Sequence, residues 1–267
     1  MIRILELEAQ PVSEIFYQYA GTGGRTETGR LQIEVARATG IPASLDGLLV
    51  ASDLQGIAPS FYDAGATDLL GVVLVEHLST LASAGLVPQL NDLGAILAGD
   101  LFSEASARKR GATGDVAAVW DAFDQEFAWV VGVAGNHDEF LQGWKAIERR
   151  ESVDLLDGDL ISKDGFTIGG VSKIAGNSKK KGRREPDEQM QRIRSVLRAQ
   201  PDVLVLHEGP DGVEREQRGN SAIREELVSD FAGLVICGHV HWSSPLADFG
   251  DFQVLNADTR AFLLLPS

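Results

Sequence analysis

The stretch Val131-Gly132-Val133-Ala134-Gly135-Asn136-His137-Asp138 decides the fold. An apolar run stops at a glycine, and three side chains that bind metals or move protons follow at once. Packing explains such an ending poorly. It is explained if a buried strand delivers those groups to a site at its C-terminal end, where parallel sheets place ligands. The same pattern recurs along the chain. Gly47 to Ser52 runs into Asp53-Leu54-Gln55, Ala95 to Ala98 into Gly99-Asp100, Val203 to Leu206 into His207, and Leu234 to Cys237 into Gly238-His239-Val240-His241.

Helical patterns lie between several of these runs. The periodicity predicts a helix over 67–85, with Thr67 or Asp68 as its cap and Gly85 near its end. A second, over 115–127, carries Val116, Val119, Trp120 and Phe123 on one face, and another starts at Pro186. Strand and helix in alternation predict an α/β fold around a largely parallel sheet. Ile2 to Glu8 reads as a strand with one wet face. Leu156 to Ile174 reads as antiparallel strands, and Phe252 to Leu265 as a closing hairpin. Residues 1–46 are expected to form an N-terminal extension packed on a domain spanning 47–267. Gly21-Thr22-Gly23-Gly24 is a turn, because no Lys-Ser or Lys-Thr follows to make it a phosphate cradle.

A chain of 267 residues can bury a full core. A net charge of -15 disfavours a long nucleic-acid footprint. It leaves room for a small phosphate ester, because a bound metal supplies local positive charge. The single cysteine, Cys237, excludes an intrachain disulfide, points to a reducing, cytoplasmic setting, and is expected to be a small buried residue. No apolar h-region opens the chain and no run is long enough to span a membrane. The oligomeric state is not legible.

Of five histidines, His137, His207, His239 and His241 stand at strand ends, whereas His77 falls inside a helix and reads as structural. With Asp53, Asp100 and Asn136 they offer enough N and O donors for two metals. Mixed imidazole and carboxylate ligation suits Mn, Fe or Zn better than Ca or Mg. Two ions about 3.5–4 Å apart can clamp a phosphoryl group and activate water.

The ordered set Asp53-x-Gln55, Gly99-Asp100, Gly135-Asn136-His137, His207 and Gly238-His239-x-His241 resembles the motifs of the calcineurin-like metallophosphoesterase superfamily, over about residues 47–262. The resemblance implies a four-layer α/β/β/α sandwich of two mixed sheets. It implies one metal held by Asp53, Gln55, Asp100 and His241, and a second held by the bridging Asp100 with Asn136, His207 and His239. His137 would then stabilise the transition state or protonate the leaving oxygen, and a metal-bridging hydroxide would attack phosphorus. The expected partner is a small phosphodiester or phosphomonoester.

Two positions depart from the family pattern. Gln55 stands where His is usual, and this predicts a weaker or exchangeable first metal, manganese foremost. Ser103, followed by Glu104, stands where Asp or His commonly orients the catalytic His; with Asp138 these are candidates for supporting His137. The basic run Lys179-Lys180-Lys181-Gly182-Arg183-Arg184 reads as a solvated loop or as a lid whose Asn177, Lys180 and Arg183 contact substrate. A non-catalytic, metal-holding scaffold that binds a protein or phosphorylated partner is the competing reading. Gln55 and Ser103 speak for it and His137 against it.

Overall fold

The computed structural model describes residues 1–143 and 151–267. Two mixed sheets carry the fold. Among the described residues the larger has ten strands. From one edge inward, Val153–Leu155, Trp129–Gly132, Leu93–Leu97 and Gly47–Ser52 are parallel neighbours. The C-terminal strand Arg260–Pro266 runs antiparallel to Gly47–Ser52 and joins it to the long Thr26–Thr39 strand. Ser13–Ala20, Ile57–Pro59 and Thr67–Leu69 complete that side, and Arg3–Leu7 pairs with Thr26–Thr39. The six-stranded sheet holds Phe166–Val171, Val203–Glu208, Gly233–Gly238 and Phe252–Asn256 in parallel, with antiparallel edges at Asp159–Lys163 and Leu246–Asp248.

Alternation along the strands divides the interior into three cores. Leu49 and Ala51 pack with the helices Leu70–Ser83 and Ala117–Glu126, through Val73, Leu74, Trp120 and Phe123. Their neighbours Leu48 and Val50 point the other way, against Val203, Val205, Leu234 and Ile236 of the second sheet. The far face of that sheet, with Leu204, Leu206 and Val235, packs on Ile193, Val196, Ile223 and Leu227 of the helices Pro186–Leu197 and Ser221–Asp230. Side chains two residues apart share a face and adjacent ones do not. The three cores therefore stack the elements as helix, sheet, sheet, helix. Gly47–Ser52 and Gly233–Gly238 are buried at every position, as expected for strands covered on both sides.

Three expectations change. The first helix starts at Leu70, because Thr67–Leu69 pairs with Ile57–Pro59 as an edge strand, and neither Thr67 nor Asp68 caps it. Its end follows the pattern, with Gly85 at φ 71° after the last turn. The second helix starts at Ala117, because Gly114–Asp115 pairs in parallel with Asp138–Glu139. Phe252 to Leu265 is no hairpin: Phe252–Asn256 lies in the small sheet and Arg260–Pro266 in the large one. Residues 1–46 contribute three strands to the large sheet. His77 is hydrogen-bonded to Ser13 Oγ at 2.7 Å, with its ring tilted against Phe61, as a structural residue would be, and Cys237 is buried.

Candidate metal centre

The parallel strands of both sheets end at one edge, where short backbone bonds tie the ends together. Asp53 N donates to Gly99 O (2.9 Å), Lys173 N to Ala134 O (2.8 Å) and Ala257 N to Cys237 O (2.7 Å). Gly135 is obligatory here, since a Cβ would collide with the Asp100 carboxylate. Asp138 is the clasp. Its Oδ2 accepts from Asp100 N and Gly135 N (both 2.8 Å), and its Oδ1 accepts from Leu101 N (2.7 Å). Burial and then the Asp100 charge push its carboxyl up to about 6, although these amides favour the anion. Asp53, Asp100 and His239 sit at φ 53°, 54° and 70°, a region that costs a non-glycine residue about 1–3 kcal/mol and persists where the surroundings enforce it.

Donor atoms of Asp100, His207 and His239 lie within 4.8 Å of one another. His207 Nδ1 donates to Ala98 O (2.8 Å), which leaves Nε2 as a bare acceptor. That atom faces Asp100 Oδ2 at 3.4 Å, is buried, and has no hydrogen-bond partner. Asn136 Oδ1 is likewise buried and unpartnered. Each orphaned acceptor costs about 1–3 kcal/mol unless something satisfies it. A divalent ion fits the clustered donors, one carboxylate and two imidazoles, one of which leaves a buried Nε2 without a hydrogen-bond partner. The same surroundings favour a proton on the His207 ring. Burial opposes charge on His207, but the Asp100 carboxylate outweighs it and the ring is pushed up to about 10. Burial, and then charge on His207, push His239 down to about 4.

The other half of the site differs. Asp53 Oδ2 accepts from Ser52 Oγ (2.7 Å) and His239 N (2.8 Å). Burial and then Asp258 raise its carboxyl well above the ordinary range. Gln55 Nε2 donates to Asp100 Oδ2 at 3.1 Å, so its amide faces the shared carboxylate as a donor. His241 Nδ1 donates to Asp258 Oδ2 at 3.0 Å, with its side chain 59% exposed. Asp258 was not picked out from the sequence. Its signal was there: it follows the apolar strand Phe252–Asn256 as the other site residues follow theirs.

His137 is anchored through its backbone, which donates to Asp100 Oδ1 (2.8 Å), and its Nδ1 lies 3.5 Å from Thr113 Oγ1. Ser103 Oγ instead donates to Glu104 O, and Glu104 accepts from Ser106 Oγ; neither hydrogen-bonds His137. Thr113 is thus the contact that sequence reading missed. It is brought there by the Gly114–Asp115 ladder.

The basic run is largely consumed by the fold. Arg184 is buried against Asp157 and Gln189, and Lys181 pairs with Glu139. Asn177 Oδ1 accepts from Lys179 N, and Lys180 is exposed. Arg183 is the member whose charge reaches His239, depressing its protonation further. Asp53, Gln55, Asp100, His137, His239 and His241 share one open cleft of about 600 Å³ with Asp258.

Strand-end Asp, Asn and His donors over two mixed sheets define a protein of the metallophosphoesterase class. The chain belongs to the calcineurin-like phosphoesterase family, whose model matches residues 48–243. Among solved structures, TT1561 of Thermus thermophilus is similar at 14% identity, with a TM-score of 0.54 over 80% of this chain and 90% of that one. The protein of unknown function AQ665 from Aquifex aeolicus matches at 13% identity and a TM-score of 0.37, over 81% of this chain and 95% of that one. At such identities the likeness to TT1561 speaks for the fold alone. No curated protein sequence matches the chain.

Proposed function

We propose that this protein hydrolyses a small phosphate ester, a phosphodiester or a phosphomonoester, using two divalent metal ions, manganese foremost. Asp100, Asn136, His207 and His239 hold the tighter ion. Asp53, Gln55 and His241, with Asp100 shared, hold the weaker one. The observation that carries this reading is the buried, unpartnered Nε2 of His207 clustered with Asp100 and His239; the Asn136 amide oxygen is a second buried acceptor without a partner. Bound divalent ions supply charge for the phosphoryl oxygens and acidify water.

The chain's own residues do the rest. Asp138 fixes the Asp100 and Gly135 turns, and Asp100 fixes the His137 backbone. Thr113 beside Nδ1 leaves Nε2 of His137 to protonate the leaving oxygen. No described helix is long and apolar enough to cross a membrane. The lone buried cysteine fits a reducing, cytoplasmic setting.

The test is hydrolysis of bis(4-nitrophenyl) phosphate and 4-nitrophenyl phosphate by chelator-stripped protein. Turnover that returns with Mn²⁺ supports the proposal, and the two esters separate diesterase from monoesterase. Folded protein that binds Mn²⁺ and cleaves neither would favour the scaffold reading, which Gln55 on Asp100 otherwise supports best.

A further inference from the structure

A second recess of about 400 Å³ opens beside the cleft, and Tyr19, Gln55, Arg110 and Gly111 line both. Its remaining wall includes Phe102, Lys109 and Glu27. Gly111 stands over the catalytic ring: a Cβ there would lie 3.3 Å from His137 Cε1, and its φ of 66° favours glycine. The recess therefore lies on the His137 side of the site, where the leaving alcohol departs.

In a chain of net charge -15, Arg108-Lys109-Arg110 is a concentration of cations. Among the described residues none of the three has an ion-pair partner. Lys109 and Arg110 face the recess, whose one acidic residue, Glu27, already accepts from Tyr19 Oη (2.9 Å). The loop is braced from outside by Thr26 Oγ1, which donates to Ser106 O (3.3 Å). That brace, Tyr19 and Glu27 all belong to the hairpin of Ser13–Ala20 and Thr26–Thr39, which lies outside the family match at 48–243.

We propose that this recess is an anion subsite: Lys109 and Arg110, with the Tyr19 and Phe102 rings beside them, receive a second phosphate or a carboxylate carried on the alcohol side of the ester. The substrate is then an ester whose alcohol is itself anionic. This inference rests on the phosphoesterase reading for the position of the leaving group.

The test is calorimetry on Mn²⁺-loaded protein. The probes are alkylphosphonates, ω-carboxyalkylphosphonates and α,ω-alkanediphosphonates of increasing spacer length. At the spacer that spans the two sites, a doubly anionic probe should bind about tenfold more tightly than the alkylphosphonate, two partly screened ion pairs being worth about that much. The carboxylate and phosphonate series tell which second anion is preferred. In Lys109→Gln/Arg110→Gln the ratio should fall toward one, with the melting temperature unchanged. A ratio near one in the wild type at every spacer, or a ratio retained in the double variant, would overturn the subsite. Phosphate release from propyl phosphate by the same samples tests the esterase reading separately, since the binding ratio does not depend on turnover.

Discussion

The two halves of the centre are built on opposite principles. Around His207 the protein spends its hydrogen bonds on backbone and tautomer, and leaves Nε2 buried and bare; Asn136 Oδ1 is likewise buried and bare. Around His241 each side chain has one polar atom already partnered: Asp53 Oδ2 by Ser52 and the His239 amide, His241 Nδ1 by Asp258, and Gln55 Nε2 by Asp100. Asp100 joins the halves, its side chain 3% exposed beside His207 at 0%, whereas His241 stands 59% exposed. On the proposed two-metal reading, the buried bare acceptor would make its ion part of the structure, and the half that ends in the exposed His241 would hold its ion exchangeably.

Substitutions that break this contrast should rank accordingly. His207→Ala removes a donor from the buried half, so elemental analysis should find the tight ion gone and hydrolysis below detection. His137→Asn should keep the ion and lower kcat by about 10²–10⁴-fold, the usual worth of a positioned proton donor. Asp258→Asn should weaken only the exposed half, raising the Mn²⁺ concentration for half-maximal activity by about 10–100-fold, as loss of a ligand's orienting partner does. Gln55→His should sharpen the contrast from the other side. Replacing an amide by an imidazole should lower that concentration by about tenfold. Smallest of all, Ser103→Ala and Glu104→Ala should each leave kcat/KM within about twofold, since neither side chain bonds His137.

What the sequence disclosed follows the same division. Strand ends that pass directly from an apolar run into Asp, Asn or His were legible, and the structure brings Asp53, Asp100, Asn136, His137, His207 and His239 to one edge. The four-layer stacking was legible only through the resemblance, because periodicity does not say which sheet a strand joins. That is why Phe252 to Leu265 read as a hairpin, and why Asp258, at the end of a parallel strand, went unseen. Thr113 and the Arg108-Lys109-Arg110 loop were invisible for another reason. They reach the site through the Gly114–Asp115 ladder and the N-terminal hairpin, pairings between distant segments that no local pattern encodes. Gln55 was flagged as a weak metal donor, but its bond to Asp100 depends on a carboxylate 45 residues away.

The central claim is that one half of the centre requires its ion and the other exchanges it. The most direct test is the Mn²⁺ stoichiometry of protein reconstituted with excess metal and then dialysed against a mild chelator. The account predicts one ion retained per chain, its retention abolished by His207→Ala and unaffected by His241→Ala. Two ions retained with equal tenacity, or one whose retention depends on His241 and not on His207, would contradict it.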